Sequence, residues 1–228
     1  MKVKPRSIHS INQLVEDQFS KWQITGKEKG KDELPVITIS REPGSKGTLI
    51  AKQLVKQLNL DLFGSSIIHE VAKDANMSQR VVGTLDEKRR SWLDEVVETM
   101  ESKRHLWDYQ YLNHLTKIIA IIGNHGRAVI LGRGANFILS PDKTLMVRVI
   151  APQKTRIKNI ARERGVSEEE ATKHVIDMES GRRAFARKYF HADITDPIHY
   201  DLVINTANLS VDAAVEAVKA ALKLKMSA

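Results

Sequence analysis

Ser40-Arg41-Glu42-Pro43-Gly44-Ser45-Lys46-Gly47-Thr48 places two glycines, a lysine and hydroxyls directly after a β-branched run. Glycines let a backbone approach a ligand closely, and successive amides form an anion nest. A helix starting at the loop's end adds its positive N-terminus. The full phosphate-loop pattern G-x-x-x-x-G-K-[ST] is not met. Lys46-Gly47-Thr48 imitates its end, but Ser40 and Ser45 stand where the two glycines would precede Lys46. The same residues also read as a glycine turn between strand and helix. Gly132-Arg133-Gly134-Ala135-Asn136 sets an arginine between glycines, free to project into a site or to sit on a surface turn. Between 152 and 189 lie Arg156, Arg162, Arg164, Arg182, Arg183 and Arg187. A charge run is usually a solvated helix face. Arg183 and Arg187, however, share a face with Arg182 beside them, and clustered guanidinium groups match phosphate oxygens bidentately.

The elements around these residues follow from periodicity. Pro35-Val36-Ile37-Thr38-Ile39-Ser40, Ala128–Leu131, Leu145–Ile150 and Asp201–Ile204 are short β-branched runs that predict buried strands. Leu49, Ile50, Leu54, Val55 and Leu58 predict an amphipathic helix after the first strand, the opening of a βαβ unit. Helical spacing dominates 66–122 and 152–189. Gly165-Val166-Ser167-Glu168-Glu169-Glu170 interrupts the second stretch as a turn and a capped helix start. A last helix spans 210–225 with Ser210 as its cap. Strands separated by helices imply a parallel sheet covered on both faces, with ligands beyond the strands' carboxyl ends. Three of the four strands lead into the residues singled out above. Ahead of them, Ile8, Ile11, Leu14, Val15, Phe19 and Trp22 form one helical face joined by a polar connector. It reads as an appendage packed on the main domain or as a dimer contact.

Composition narrows the classes. The chain has 228 residues, 42% hydrophobic and 28% charged, which suits a globular protein and argues against disorder. No apolar run is long enough for a membrane span, and Met1–Arg6 is basic without the apolar stretch of a secretory signal, so a cytoplasmic location is expected. Zero cysteines exclude disulfide scaffolds, thiolate zinc sites and cysteine nucleophiles. The eight histidines show no metal-ligand spacing, and a metal held by protein groups alone is not expected. Lys and Arg number 36 against 28 Asp and Glu, a surplus of +8 that favours an anionic partner.

Several segments together carry a resemblance. Ile39-Ser40-Arg41-Glu42-Pro43-Gly44-Ser45 with Ile50-Ala51 is followed in order by Val129–Asn136 and by Glu179…Arg182…Tyr189-Phe190. Asp193…Asp196-Pro197, Asp201–Thr206 and Leu209-Ser210 complete the series. From about Val36 to Val218 the chain resembles the cytidylate kinase-like family, a branch of the nucleoside monophosphate kinases within the P-loop NTPases. The resemblance implies an α/β fold, a three-layer P-loop NTPase-type sheet of five parallel strands flanked by helices. The fifth strand would lie near Leu60–Phe63. The apolar spacing read above gives an N-terminal helix and linker over 1–33; the resemblance further implies a kinase-like domain over 34–228, a helical acceptor-side insert over about 66–122 and an arginine-rich lid over about 156–192.

By the same resemblance, Ser40, Arg41, Gly44, Ser45, Lys46, Gly47 and Thr48 would surround the ATP phosphates, with Arg156 in reach. Lys46, Arg182, Arg183 and Arg187 would serve the transfer. Arg133 and Asn136 would face the acceptor, and Mg²⁺ would bridge the phosphates near Thr48 or Ser45. The implied activity is ATP-dependent phosphorylation of a nucleoside monophosphate, CMP or dCMP. Two departures stand out. Alignment through Ile50-Ala51 sets Gly47 where related kinases have the loop lysine, with Lys46 one residue early. Gly64 and Ser66 stand where relatives carry acidic residues. These departures motivate an alternative, a nucleotide-binding regulator with little turnover. Nucleic-acid binding ranks below both because much of the basic excess maps to the lid.

Overall fold

Val36–Arg41 forms β1, a strand buried along all but its last residue, as its β-branched, two-sided apolar composition requires. The structure is a computed structural model that describes residues 35–73 and 109–227, with isolated positions between them (79, 82, 93–95 and 97). Residues 1–33, with the expected first helix, lie outside the described residues. Two compact units are present: Pro35–Phe63 with Arg127–Ala228, and a second that includes Gly64–Gly126.

The first unit holds β1, β2 (Asp61–Phe63), β3 (Ala128–Leu131), β4 (Thr144–Ile150) and β5 (Leu202–Asn205). All pair in parallel in the order β2-β3-β1-β4-β5. The fifth strand expected near Leu60–Phe63 is therefore β2, at the sheet edge. Because β1 lies between β3 and β4, its carboxyl end is the switch point where open parallel sheets bind ligands.

Helix α1 (Gly47–Leu58) buries Ile50, Ala51 and Leu54 and stops where Asn59 turns left-handed at φ 51°. On the same core, Ala214, Val215, Val218 and Leu222 of the carboxyl-terminal helix (Val211–Met226) meet Ile37, Ile39, Val129, Leu145, Val147 and Val149. Ser210 caps that helix through the Ala213 amide, as expected. No helix among the described residues is long and apolar enough to cross a membrane.

In the second unit, α2 (Ser65–Lys73) and α3 (Tyr109–His125) pack on each other. His69 Nδ1 lies 2.8 Å from the Tyr111 hydroxyl, and His114 Nδ1 lies 3.1 Å from the Ala72 carbonyl oxygen. In the first unit a short helix, α4 (Ala135–Ile138), follows β3. The charged stretch after β4 then folds as two helices, α5 (Gln153–Arg164) and α6 (Glu168–Phe190), with Val211–Met226 as α7. Gly165 at φ 66° ends α5. Ser167 and Glu170 form the reciprocal capping box that starts α6, as the sequence predicts. Ile160, Ala171 and Val175, with Ile157 and Ala161, join the pair in a small core of its own.

Candidate active site

The loop leaving β1 is pinned from several sides. Ser45 is fully buried, and both its amide and its hydroxyl donate to the Glu42 carbonyl, at 3.2 and 2.8 Å. Asn159 Nδ2 of α5 donates to the Gly44 carbonyl at 2.8 Å, and Thr206 Oγ1 after β5 donates to the Ser45 carbonyl at 2.9 Å. Gly44 has φ 77° and lies so close to the Arg156 backbone that a Cβ there would collide with its carbonyl. Lys46 precedes α1 in a left-handed conformation, φ 62° and ψ 8°. The first turn of α1 carries no acidic side chain, so its positive end faces the loop undiminished.

Beneath this loop lies a buried polar network. Arg148 is 5% exposed and donates through Nη1 to Ser40 Oγ at 3.0 Å, with its guanidinium 5.6 Å from the Tyr200 ring centroid. The Tyr200 hydroxyl donates to the Ile194 carbonyl at 2.9 Å and lies 3.3 Å from Ser40 Oγ. Glu42 Oε2 accepts from the Ala151 amide at 3.0 Å and pairs with Arg156 Nε at 3.2 Å. Arg156, also 5% exposed, donates from Nε to the Ala151 carbonyl at 2.8 Å and pairs through Nη2 with Glu179 of α6 at 3.1 Å. Its Nη1 is buried without a hydrogen-bond partner. Arg156 is thus engaged by two carboxylates and one carbonyl behind the loop.

Arg41, Arg133 and Arg182 converge at the carboxyl ends of β1 and β3. Arg182 Nη1 donates to the Arg41 carbonyl, which brings α6 against the end of β1. Burial, then the nearby Arg182 and Arg133, push the Arg41 guanidinium down to about 10. Burial likewise lowers Arg182; Glu179 opposes the shift, whereas Arg148 and Arg133 add to it. Arg41 and Arg182, both partly desolvated and standing beside Arg133, concentrate positive charge that suits an anion. Arg133, left-handed at φ 56°, lies 5.8 Å from the Phe185 ring centroid on α6. Two residues earlier in chain order than Asn136, Gly134 has the Phe190 ring directly against it, and Phe190 stacks on Phe137 at 5.0 Å. These aromatics fasten the end of α6 to the glycine-arginine turn after β3.

The sequence profile of the cytidylate kinase-like family matches residues 36–208. The chain belongs to this family. Among its relatives, the cytidylate kinase of Ignicoccus hospitalis is 26% identical over 187 residues, covering 82% of this chain and 98% of that protein. The cytidylate kinase of Methanocaldococcus jannaschii is 25% identical over 193 residues, covering 82% and 97%. A crystal structure of an uncharacterized protein from Eubacterium ventriosum has a TM-score of 0.58 and 22% identity, over 83% of this chain and 98% of that one. It shows a shared fold.

Within this family member, the positions singled out by sequence separate into groups. Ser40, Arg41, Gly44, Ser45, Lys46, Gly47 and Thr48 form one continuous strand end, loop and helix start, and Arg182 and Arg133 stand beside Arg41. Arg183 and Arg187 do not join them. Both are exposed and line an open depression of about 370 Å³ with Ile176, Glu179, Ser180 and Ala184. Asn136, on α4, has a buried Nδ2 without a hydrogen-bond partner. Glu42, Arg148 and Tyr200, which form the polar network behind the candidate site, are not singled out in the sequence reading. Arg148 had a readable signal, a charge inside the apolar run Leu145–Ile150. A buried charge in a strand requires partners and therefore marks a network.

Proposed function

We propose that the protein transfers the γ-phosphoryl group of ATP to a nucleoside monophosphate, with CMP or dCMP as acceptor. The observation that carries this reading is the convergence of Arg41, Arg133 and Arg182 beside a glycine-containing loop at the sheet's switch point. Phosphoryl transfer asks the protein mainly for positioning and charge neutralisation. The amides of Gly44–Thr48 and the start of α1 receive the ATP phosphates. Arg182, carried on α6, meets the group in flight, and Arg133 with Asn136 faces the acceptor. α6 also excludes water, which limits hydrolysis of ATP.

The hydroxyls present fit a magnesium ion arriving with ATP. Thr48 is exposed in the first turn of α1, whereas Ser45 is buried and already donates to Glu42, so Thr48 is the residue that would hold the ion. Magnesium supplies charge neutralisation on the phosphates when bound.

A second reading, a nucleotide-binding regulator with little turnover, is favoured by Gly47, which has no side chain to supply the loop cation. Incubating the purified full chain with ATP, Mg²⁺ and each common monophosphate separates the two. The kinase reading expects ADP and the matching diphosphate in equal amounts, with CMP or dCMP preferred. Nucleotide binding without a diphosphate product favours the regulator.

A further inference from the structure

Arg41 and Gly47 occupy one another's space. A Cβ built on Gly47 would stand 2.6 Å from Arg41 Cβ and 3.2 Å from Arg41 Cγ. Any side chain at 47 is therefore excluded by the arginine stem. The tip is accommodated the same way, since a Cβ on Gly132 would stand 2.5 Å from Arg41 Nη1. The guanidinium thus extends from the end of β1, past the start of α1, to the turn after β3. Among the described residues no carboxylate pairs with it, and its charged neighbours are Arg182 and Arg133.

Lys46 has the complementary character. It is left-handed at φ 62°, a backbone conformation that suits glycine, and it immediately precedes the helix. In the regular loop G-x-x-x-x-G-K-[ST] the residue before the lysine is a glycine, and the residue before the hydroxyl is the lysine. With Thr48 as the hydroxyl, this chain has lysine in the glycine place, glycine in the lysine place and Arg41 in the place of the first glycine.

We propose that Arg41 supplies the phosphate-loop cation in this protein, with Gly47 and Gly132 providing the room for its side chain, and that Lys46 is a loop-shaping residue. The inference rests on the kinase reading above and names the group that contacts the ATP phosphates within it. An arginine here offers a planar fork to two phosphate oxygens, where a lysine offers one point charge. A desolvated cation facing two others gains most from a multiply charged ligand, so the contact favours ATP over AMP.

The test measures binding of Mg-ATP, and separately of AMP, by calorimetry to the wild-type full chain and to Arg41→Gln, Lys46→Ala and Gly47→Ala. Arg41→Gln is expected to weaken ATP binding roughly 10–100-fold, the loss of a charged hydrogen-bond pair, and AMP binding much less. Lys46→Ala, which keeps the backbone amide and removes only the ammonium group, is expected to weaken ATP binding far less than Arg41→Gln does, and Gly47→Ala to weaken it by displacing the arginine. Because Gly47→Ala alone reports crowding of any kind, Arg41→Gly with Gly47→Ala is compared with Arg41→Gly. The added methyl group should then have no further effect on ATP affinity. Circular dichroism melts check that each variant is folded. Wild-type protein that binds no Mg-ATP overturns the kinase reading and this assignment with it. Wild-type binding that survives in Arg41→Gln, or that is lost in a folded Lys46→Ala, overturns the assignment alone.

Discussion

Arg156 Nη2 of α5 stands 3.1 Å from Glu179 Oε1 of α6. The same guanidinium pairs with Glu42 after β1, so a single buried arginine links the loop to the helix that carries Arg182. Glu179 lies one helical turn before Arg182 and is the charge that opposes the lowering of its pKa. Glu179→Gln should therefore misplace Arg182 without touching the nucleotide. The expected outcome is a fall in kcat of about tenfold, with KM for ATP nearly unchanged. Steady-state kinetics check it, and a loss confined to KM would contradict the positioning role.

Glu42 is the shared acceptor of the network, taking the Ala151 amide and Arg156 Nε, with Arg148 Nη2 at 3.8 Å. Removing its charge leaves two buried guanidinium groups undercompensated. Glu42→Gln should destabilise the fold by about 2–3 kcal/mol, allowing for its partial exposure, or roughly 4–12 °C in Tm. Thermal unfolding reads this directly. A Tm within 1–2 °C of wild type, on the order of experimental scatter, would mean that Arg148 and Arg156 are solvated in ways their burial does not suggest.

Arg41 costs stability where Glu42 contributes it. A base whose folded pKa is depressed binds fewer protons folded than unfolded between the two values, so stability rises with pH across that window. With the folded value at about 10, the penalty is fully present below pH 10 and fades only above it. Arg41→Met should accordingly raise the Tm of ligand-free protein by roughly 2–4 °C, about 1 kcal/mol, at any pH from 6 to 9. Melts at three pH values test this. A lower Tm for the methionine variant would show that the arginine's packing outweighs its charge.

In the proposed mechanism Arg182 acts on the transition state. It is part-buried and donates to the Arg41 carbonyl, so it is held at the loop rather than solvated. Arg182→Lys keeps the charge and loses the planar fork, and should lower kcat and kcat/KM together by at least roughly 10²-fold, within the range known for phosphoryl-transfer arginines. Arg183→Lys, on the exposed depression, should change both by less than about threefold, the size expected of a solvated surface charge. Equal effects at the two positions would contradict the division between them.

The sequence shows the strands β1, β3, β4 and β5 because each is a β-branched run long enough to stand out, and it shows the α5–α6 turn because Gly165 and Ser167 mark it locally. Strand β2 has three residues and no periodicity, and only the family resemblance located it. Residues of the candidate site are legible where chain neighbours define them, as in Gly44–Thr48. The separation of Arg182 from Arg183 depends on which way α6 turns against β1. The room for Arg41 depends on Gly132, far away in sequence and close in space. Neither relation has a local signature.

The most direct measurement follows the label from [γ-³²P]ATP in the presence of Mg²⁺ and CMP. A nucleoside monophosphate kinase with this site delivers the label to CDP, at a rate that depends on CMP and collapses in Arg182→Lys, with little free phosphate formed. Label that stays on ATP, or that appears as inorganic phosphate regardless of CMP, would contradict the account.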